Sequence, residues 1–110
     1  MASFERYYAK GIESTPTTVH TSNASDSSQA DIVIGMLLSN SGLVASTASA
    51  YVTGAGTTKV FLCRDLSVPV GGSAEIVQGK IVLNDTDTVE VVCSDGSIDC
   101  WLSVLDNASA

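Results

Sequence analysis

The chain has 110 residues, enough for one domain around one core. Hydrophobic residues make up 45% and charged residues 15%, a balance that excludes a disordered chain. The net charge of −7 lies wholly in residues 65–110, where eight acids face Lys80 alone; without a Lys/Arg stripe to neutralise phosphates, nucleic-acid binding is excluded as well.

The opening stretch MASFERYYAKG lacks the apolar core of an export leader. It holds Phe4, Tyr7 and Tyr8, half of the six aromatics, beside Arg6 and Lys10. Aromatic and Arg side chains are favoured anchors of protein interfaces. Residues 1–16 therefore read as an extended N-terminal arm, and Phe4, Arg6, Tyr7, Tyr8 and Lys10 as its partner-binding residues. The competing reading is an edge strand whose rings cover the core. If the segment is an arm, a chain starting at Ile12 should still fold.

Residues 17–110 read as the folded domain. After Pro16, Thr17 to Thr21 suits a short strand, followed by the polar loop SNASDSSQ. Ala30 to Ser39 is a nearly unbroken Ile/Val-rich run containing Gly35, which fits a strand buried on both faces better than a helix. Its apolar part is far too short to span a bilayer, so no membrane partner is expected. Ser46 to Thr53 and Thr57 to Cys63 are strands joined at Gly54-Ala55-Gly56. Pro69 marks a strand end before Gly71-Gly72, and Ala74 to Gln78 and Lys80 to Leu83 are short strands broken by Gly79. No amphipathic helix is visible. The sum is an all-β fold: a single-domain antiparallel β-sandwich, jelly-roll-like, with seven to nine strands.

Asp95-Gly96 is a type I′ turn signal between two alternating segments. A two-residue loop there predicts a hairpin pairing Cys93 with Ile98, Val91 with Cys100 and Val89 with Leu102 on an apolar face. Glu90 would then meet Trp101, and Val92 would meet Asp99, on the outer face. Cys93 and Cys100 become diagonal neighbours that a disulfide would strain. With Cys63 they read as three free, buried thiols of a reducing compartment.

Candidate chemistry fails residue by residue. The stretch LNDTDTVE resembles a calcium loop, yet counting from Asp85 the fifth and sixth EF-hand places hold Val89 and Glu90 where an oxygen ligand and Gly are required. It reads as the bend introducing a strand. His20, the only histidine, lies near no nucleophile motif and reads as a partly solvated strand residue. Gly71-Gly72-Ser73 lacks the rest of a phosphate loop. No catalytic, cofactor-binding or metal-ligating residue is assigned, and an enzyme is not expected.

The Ile32-Val33-Ile34-Gly35 strand, the stretch VPVGGSAEIVQGKIVLNDTDTVEVVCS and the ending WLSVLDN together resemble small virion structural proteins of tailed bacteriophages, most of all capsid decoration (cement) proteins. The resemblance runs from Ala30 onward and rests on strand-and-turn patterns. It implies a β-rich subunit, often a homotrimer, made in the host cytoplasm and seated on the outer surface of the phage head. There it would clamp neighbouring subunits of the major capsid protein lattice, with no catalytic residues. The alternative is a tail, neck or head-fibre module that recognises a host glycan through Trp101, Glu90 and Asp99, an aromatic platform flanked by carboxylates.

Overall fold

The computed structural model describes residues 2–22, 29–54, 58–77, 79–94 and 97–109. They form nine strands: β1 (Ser3–Ile12), β2 (Thr17–Thr21), β3 (Gln29–Asn40), β4 (Ser46–Thr53), β5 (Lys59–Val68), β6 (Ser73–Glu75), β7 (Ile81–Leu83), β8 (Thr88–Cys93) and β9 (Ile98–Ser109). One sheet runs β1-β9-β3-β6, with β7 also paired to β3; the other runs β2-β8-β4-β5. Every pairing is antiparallel. The antiparallel sandwich expected from the strand pattern is the architecture formed.

Strand alternation builds the core. Val33, Met36 and Leu38 of β3 and Ile98, Cys100, Leu102 and Val104 of β9 face inward from one sheet. Ala48 and Ala50 of β4 and Val89, Val91 and Cys93 of β8 meet them from the other. All of these are at most 3% exposed, so the two inner faces close on one dry layer.

Three expectations are corrected. First, β8 and β9 do not form a hairpin: β8 pairs with β2 and β4, whereas β9 pairs with β1 and β3. The link through Asp95 and Gly96 lies outside the described residues; the strands on either side of it belong to different sheets. Both strands bury the same faces as foreseen, because alternation dictates which side meets the core but not which strand lies alongside. Cys93 and Cys100 therefore stand in opposing sheets; no disulfide joins any of the three cysteines, and Cys63 is only partly buried. Second, β3 is buried on one face only, with Ile34 and Leu37 exposed on the other. Third, the N-terminal segment is an edge strand, with β1 paired to β9 from Ser3 to Ile12, but of its three rings only Tyr7 turns inward, while Phe4 and Tyr8 stay exposed.

The edge strand carries a bulge between Ala9 and Ile12, where Gly11 adopts φ 68° and donates its N–H to Asp99 Oδ1 at 2.9 Å. Glycine takes this left-handed conformation without steric cost, and the extra residue lets Ile12 turn inward. At the other end of the fold, β5 stops at Val68 and Pro69 starts the turn to β6, as its missing N–H suggests. The stretch that resembles a calcium loop is the expected bend, in which Asn84 N–H donates to Asp87 Oδ2 at 2.9 Å and Asp87 N–H donates to Asn84 O at 3.1 Å.

Because β9 is flanked on both sides and Leu102 is fully buried, Leu102→Ala should cost about 2–5 kcal/mol through lost transfer energy and a residual cavity. Val82→Ala, at a side chain 60% exposed, should stay within about 0.5 kcal/mol. Urea midpoints of the two variants measure the contrast.

Candidate functional site

One end of the sandwich departs from the apolar rule. His20 of β2, Asp31 of β3, Asp106 of β9 and Tyr7 of β1 converge there, with Val19, Thr21 and Asn107, around a cleft of about 400 Å³. Local irregularities aim these side chains. A bulge between Thr18 and His20 sets His20 opposite Val89, on the buried side of its sheet. Asp31 lies opposite the fully buried Leu83, beside a bulge in the pairing with β9. Near the end of β9, Asn107 takes φ 55° and donates its N–H to Asp31 Oδ1 at 3.0 Å.

The contacts form one network. His20 Nε2 lies 2.8 Å from Asp31 Oδ2, and both residues are buried, at 7% and 2% exposure. The Tyr7 ring stacks on the imidazole at 4.0 Å and 29°, while its hydroxyl donates to Asp106 Oδ2. Asp106 Oδ1 is buried without a hydrogen-bond partner. Burial pushes the Asp31 carboxyl up, but the hydrogen bonds from Asn107 N–H, His20 and Ser22 outweigh it and hold the group below its ordinary range. With Asp31 ionised, the proton of the His20–Asp31 contact sits on Nε2. Burial drives the Tyr7 phenol well above its usual range, aided by its bond to Asp106 and the charges of Asp106, Asp31 and Glu5.

The expectation of a partly solvated His20 is thus overturned: the bulge turns the ring into the sandwich, where Asp31 satisfies it. Asp31 and Asp106 escaped notice in the sequence although alternation marks both. Asp31 stands two residues before Val33, and Asp106 two after Val104, each continuing an inward row. A carboxylate at a core position is the signal that was there to find.

The partner-binding residues expected in the N-terminal segment divide by face. Tyr7 points into the network, whereas Phe4, Arg6, Tyr8 and Lys10 lie exposed outside. There Tyr8, Trp101 and Leu37 stand abreast on β1, β9 and β3. The Tyr8 and Trp101 rings stack at 5.6 Å and 12°, and the Arg6 guanidinium lies 5.5 Å and 5.6 Å from their centroids. Tyr8, Trp101, Lys10 and Asp99 border a shallow hollow of about 240 Å³. Glu90 is not part of this surface; it belongs to the other sheet and accepts hydrogen bonds from Thr18 and Thr53.

A group whose folded pKa lies below its unfolded value adds stability that is present above the unfolded value and lost as pH falls through the folded one. Asp31→Asn should therefore lower the melting temperature at neutral pH, and the gap to wild type should shrink as pH drops below about 4. Thermal melts across that range measure both effects.

No family profile matches the chain, and no curated protein matches it by sequence. Solved structures do share its fold. A chain in the structure of infectious bursal disease virus, Gx strain, superposes with a TM-score of 0.61 at 14% identity, over 97% of this chain and 32% of that one. A chain in the crystal structure of the T13 particle of the same virus gives 0.58 at 12% identity, over 96% of this chain and 31% of that one. The Gt strain gives 0.52 at 12% identity, over 97% and 33%. The chain thus spans about a third of the length of the virus chains whose fold it shares.

Proposed function

We propose that the chain is a non-enzymatic structural subunit of a virus particle: a capsid decoration or cement protein that binds neighbouring coat subunits on the outer surface of a phage head. The observation that carries this reading is the likeness of nearly the whole sandwich to chains of virus particles. Fold alone does not establish function, so the surface has to supply the contacts. The outer face of the β1-β9-β3 sheet is suited to that role, with Tyr8, Trp101 and Arg6 gathered into one exposed patch and Phe4 at 77% exposure beyond it. Rigid stacked rings with a guanidinium are the composition of interface hot spots. In this reading Phe4, Arg6, Tyr8 and Lys10 contact the coat lattice, while Tyr7 holds β1 in place and a homotrimer sets the avidity.

A second reading has one observation in its favour. The hollow beside Trp101, with Asp99 and Lys10 at its border, is an aromatic platform of the kind on which a sugar ring stacks, as in a tail, neck or head-fibre module.

Because β1 belongs to the sheet, its removal would expose the edge of β9, and side-chain substitution is the cleaner test. In purified particles a cement protein should approach the copy number of the coat protein, whereas a fibre or neck protein should be scarce. The double variant Tyr8→Ala, Trp101→Ala should keep its cooperative melt yet attach to protein-free heads at least about 30-fold more weakly, on the order of 2 kcal/mol. Undiminished attachment would remove this face from the interface. Low copy number together with binding on a glycan array would favour the second reading.

A further inference from the structure

We infer that His20, Asp31 and Asp106 form a binding site for one divalent cation that accepts imidazole nitrogen, Zn²⁺ or Mn²⁺. One donor atom from each of the three lies within 4.8 Å of the others. Donors on opposite sides of such a cation stand about 4 Å apart, twice a bond of roughly 2.0–2.2 Å, so side-chain adjustments of under about 1 Å would close the site.

The second coordination layer is already in place. Each carboxylate has one oxygen held by a neighbouring group of the protein. Asn107 N–H holds Asp31 Oδ1, leaving Oδ2 against His20 Nε2. The Tyr7 hydroxyl holds Asp106 Oδ2, leaving Oδ1 buried with no donor. Metal-ligating carboxylates are fixed in this way, by outer groups that hydrogen-bond the oxygen not used for the metal. An orphaned carboxylate oxygen inside a polar cleft is costly unless a proton or cation meets it.

Charge argues in the same direction. Two carboxylates face a single imidazole, and among the described residues no Lys or Arg ion-pairs with either of them. A cation bound at His20 Nε2 would take the place of the proton now directed at Asp31, the imidazole changing tautomer so that the proton sits on Nδ1, while the cleft has room for water to complete the coordination sphere. The imidazole sets the preference. Ca²⁺ and Mg²⁺ favour all-oxygen sites, whereas an N/O set suits Zn²⁺ and Mn²⁺. Asp85 and Asp87, the acids of the apparent calcium loop, take no part.

The site would join β2 of one sheet to β3 and β9 of the other, so occupancy should be readable as stability. This inference does not depend on the proposed virion role. The test uses the full-length chain, stripped with EDTA and titrated separately with Zn²⁺, Mn²⁺, Ca²⁺ and Mg²⁺. Calorimetry should give one Zn²⁺ or Mn²⁺ per chain, and a hundredfold excess over Kd should raise the melting temperature by on the order of 10 °C. His20 is the only histidine, so a single imidazole resonance reports directly on the site. Zn²⁺ should shift it and Mn²⁺ should broaden it. Asp106→Asn should weaken binding at least about tenfold and leave the metal-free fold intact. An imidazole resonance unmoved by saturating Zn²⁺ would overturn the assignment, as would equal binding of Ca²⁺ or full affinity in Asp106→Asn. If that variant fails to fold, the wild-type resonance decides the matter alone.

Discussion

Everything in this molecule depends on the inner row of β9. Ile98, Cys100, Leu102 and Val104 point one way from a strand hydrogen-bonded on both sides, and they press against Val89, Val91 and Cys93 of the opposite sheet. Neither sheet could bury its apolar face alone, since each is a single layer with water on its far side. β1 and β3 are fixed by their register to β9, and β2 and β4 by theirs to β8. Once the two rows meet, the positions of the other strands follow from hydrogen bonding outward.

At the end where Tyr7, His20, Asp31 and Asp106 gather, that apolar layer gives way to a polar one. Paired and hydrogen-bonded groups in such a place add less net stability than a packed hydrophobic set would, but a broken pair is expensive. They do impose a geometry that methyl groups cannot: the His20 edge must reach Asp31 across the gap between sheets, and the Tyr7 ring must lie on the imidazole. The network therefore fixes how β2, at the edge of one sheet, meets β1, at the edge of the other. Buried ionisable groups that converge on an open cleft also mark candidate binding sites.

Local chemistry was legible in the sequence, and long-range pairing was not. Ser46 to Thr53 has the bounds read from its composition, and Pro69 ends β5 for the reason its missing N–H suggests. The inward rows of β8 and β9 were also readable, because period-two alternation is a property of each strand by itself. Their partnership was misread, since a sandwich lets two consecutive strands face the same core from opposite sides. Ile34 and Leu37 misled for a related reason: an apolar run implies two covered faces, yet here the outer one forms part of an exposed patch. The cluster of His20, Asp31 and Asp106 stayed hidden because its members lie far apart along the chain. Only the sheet topology brings a β2 bulge to the ends of β3 and β9.

The lone tryptophan stands on the outside of the sandwich, stacked beside Tyr8 with the Arg6 guanidinium near both rings, and is 46% exposed. Intrinsic fluorescence usually follows the loss of a buried indole. Here it observes the surface instead. An indole already in contact with water changes little in emission wavelength when the core melts, but strongly when another molecule covers it. Excitation of Trp101 thus turns the protein into its own docking sensor, largely blind to unfolding and responsive to whatever settles on that face.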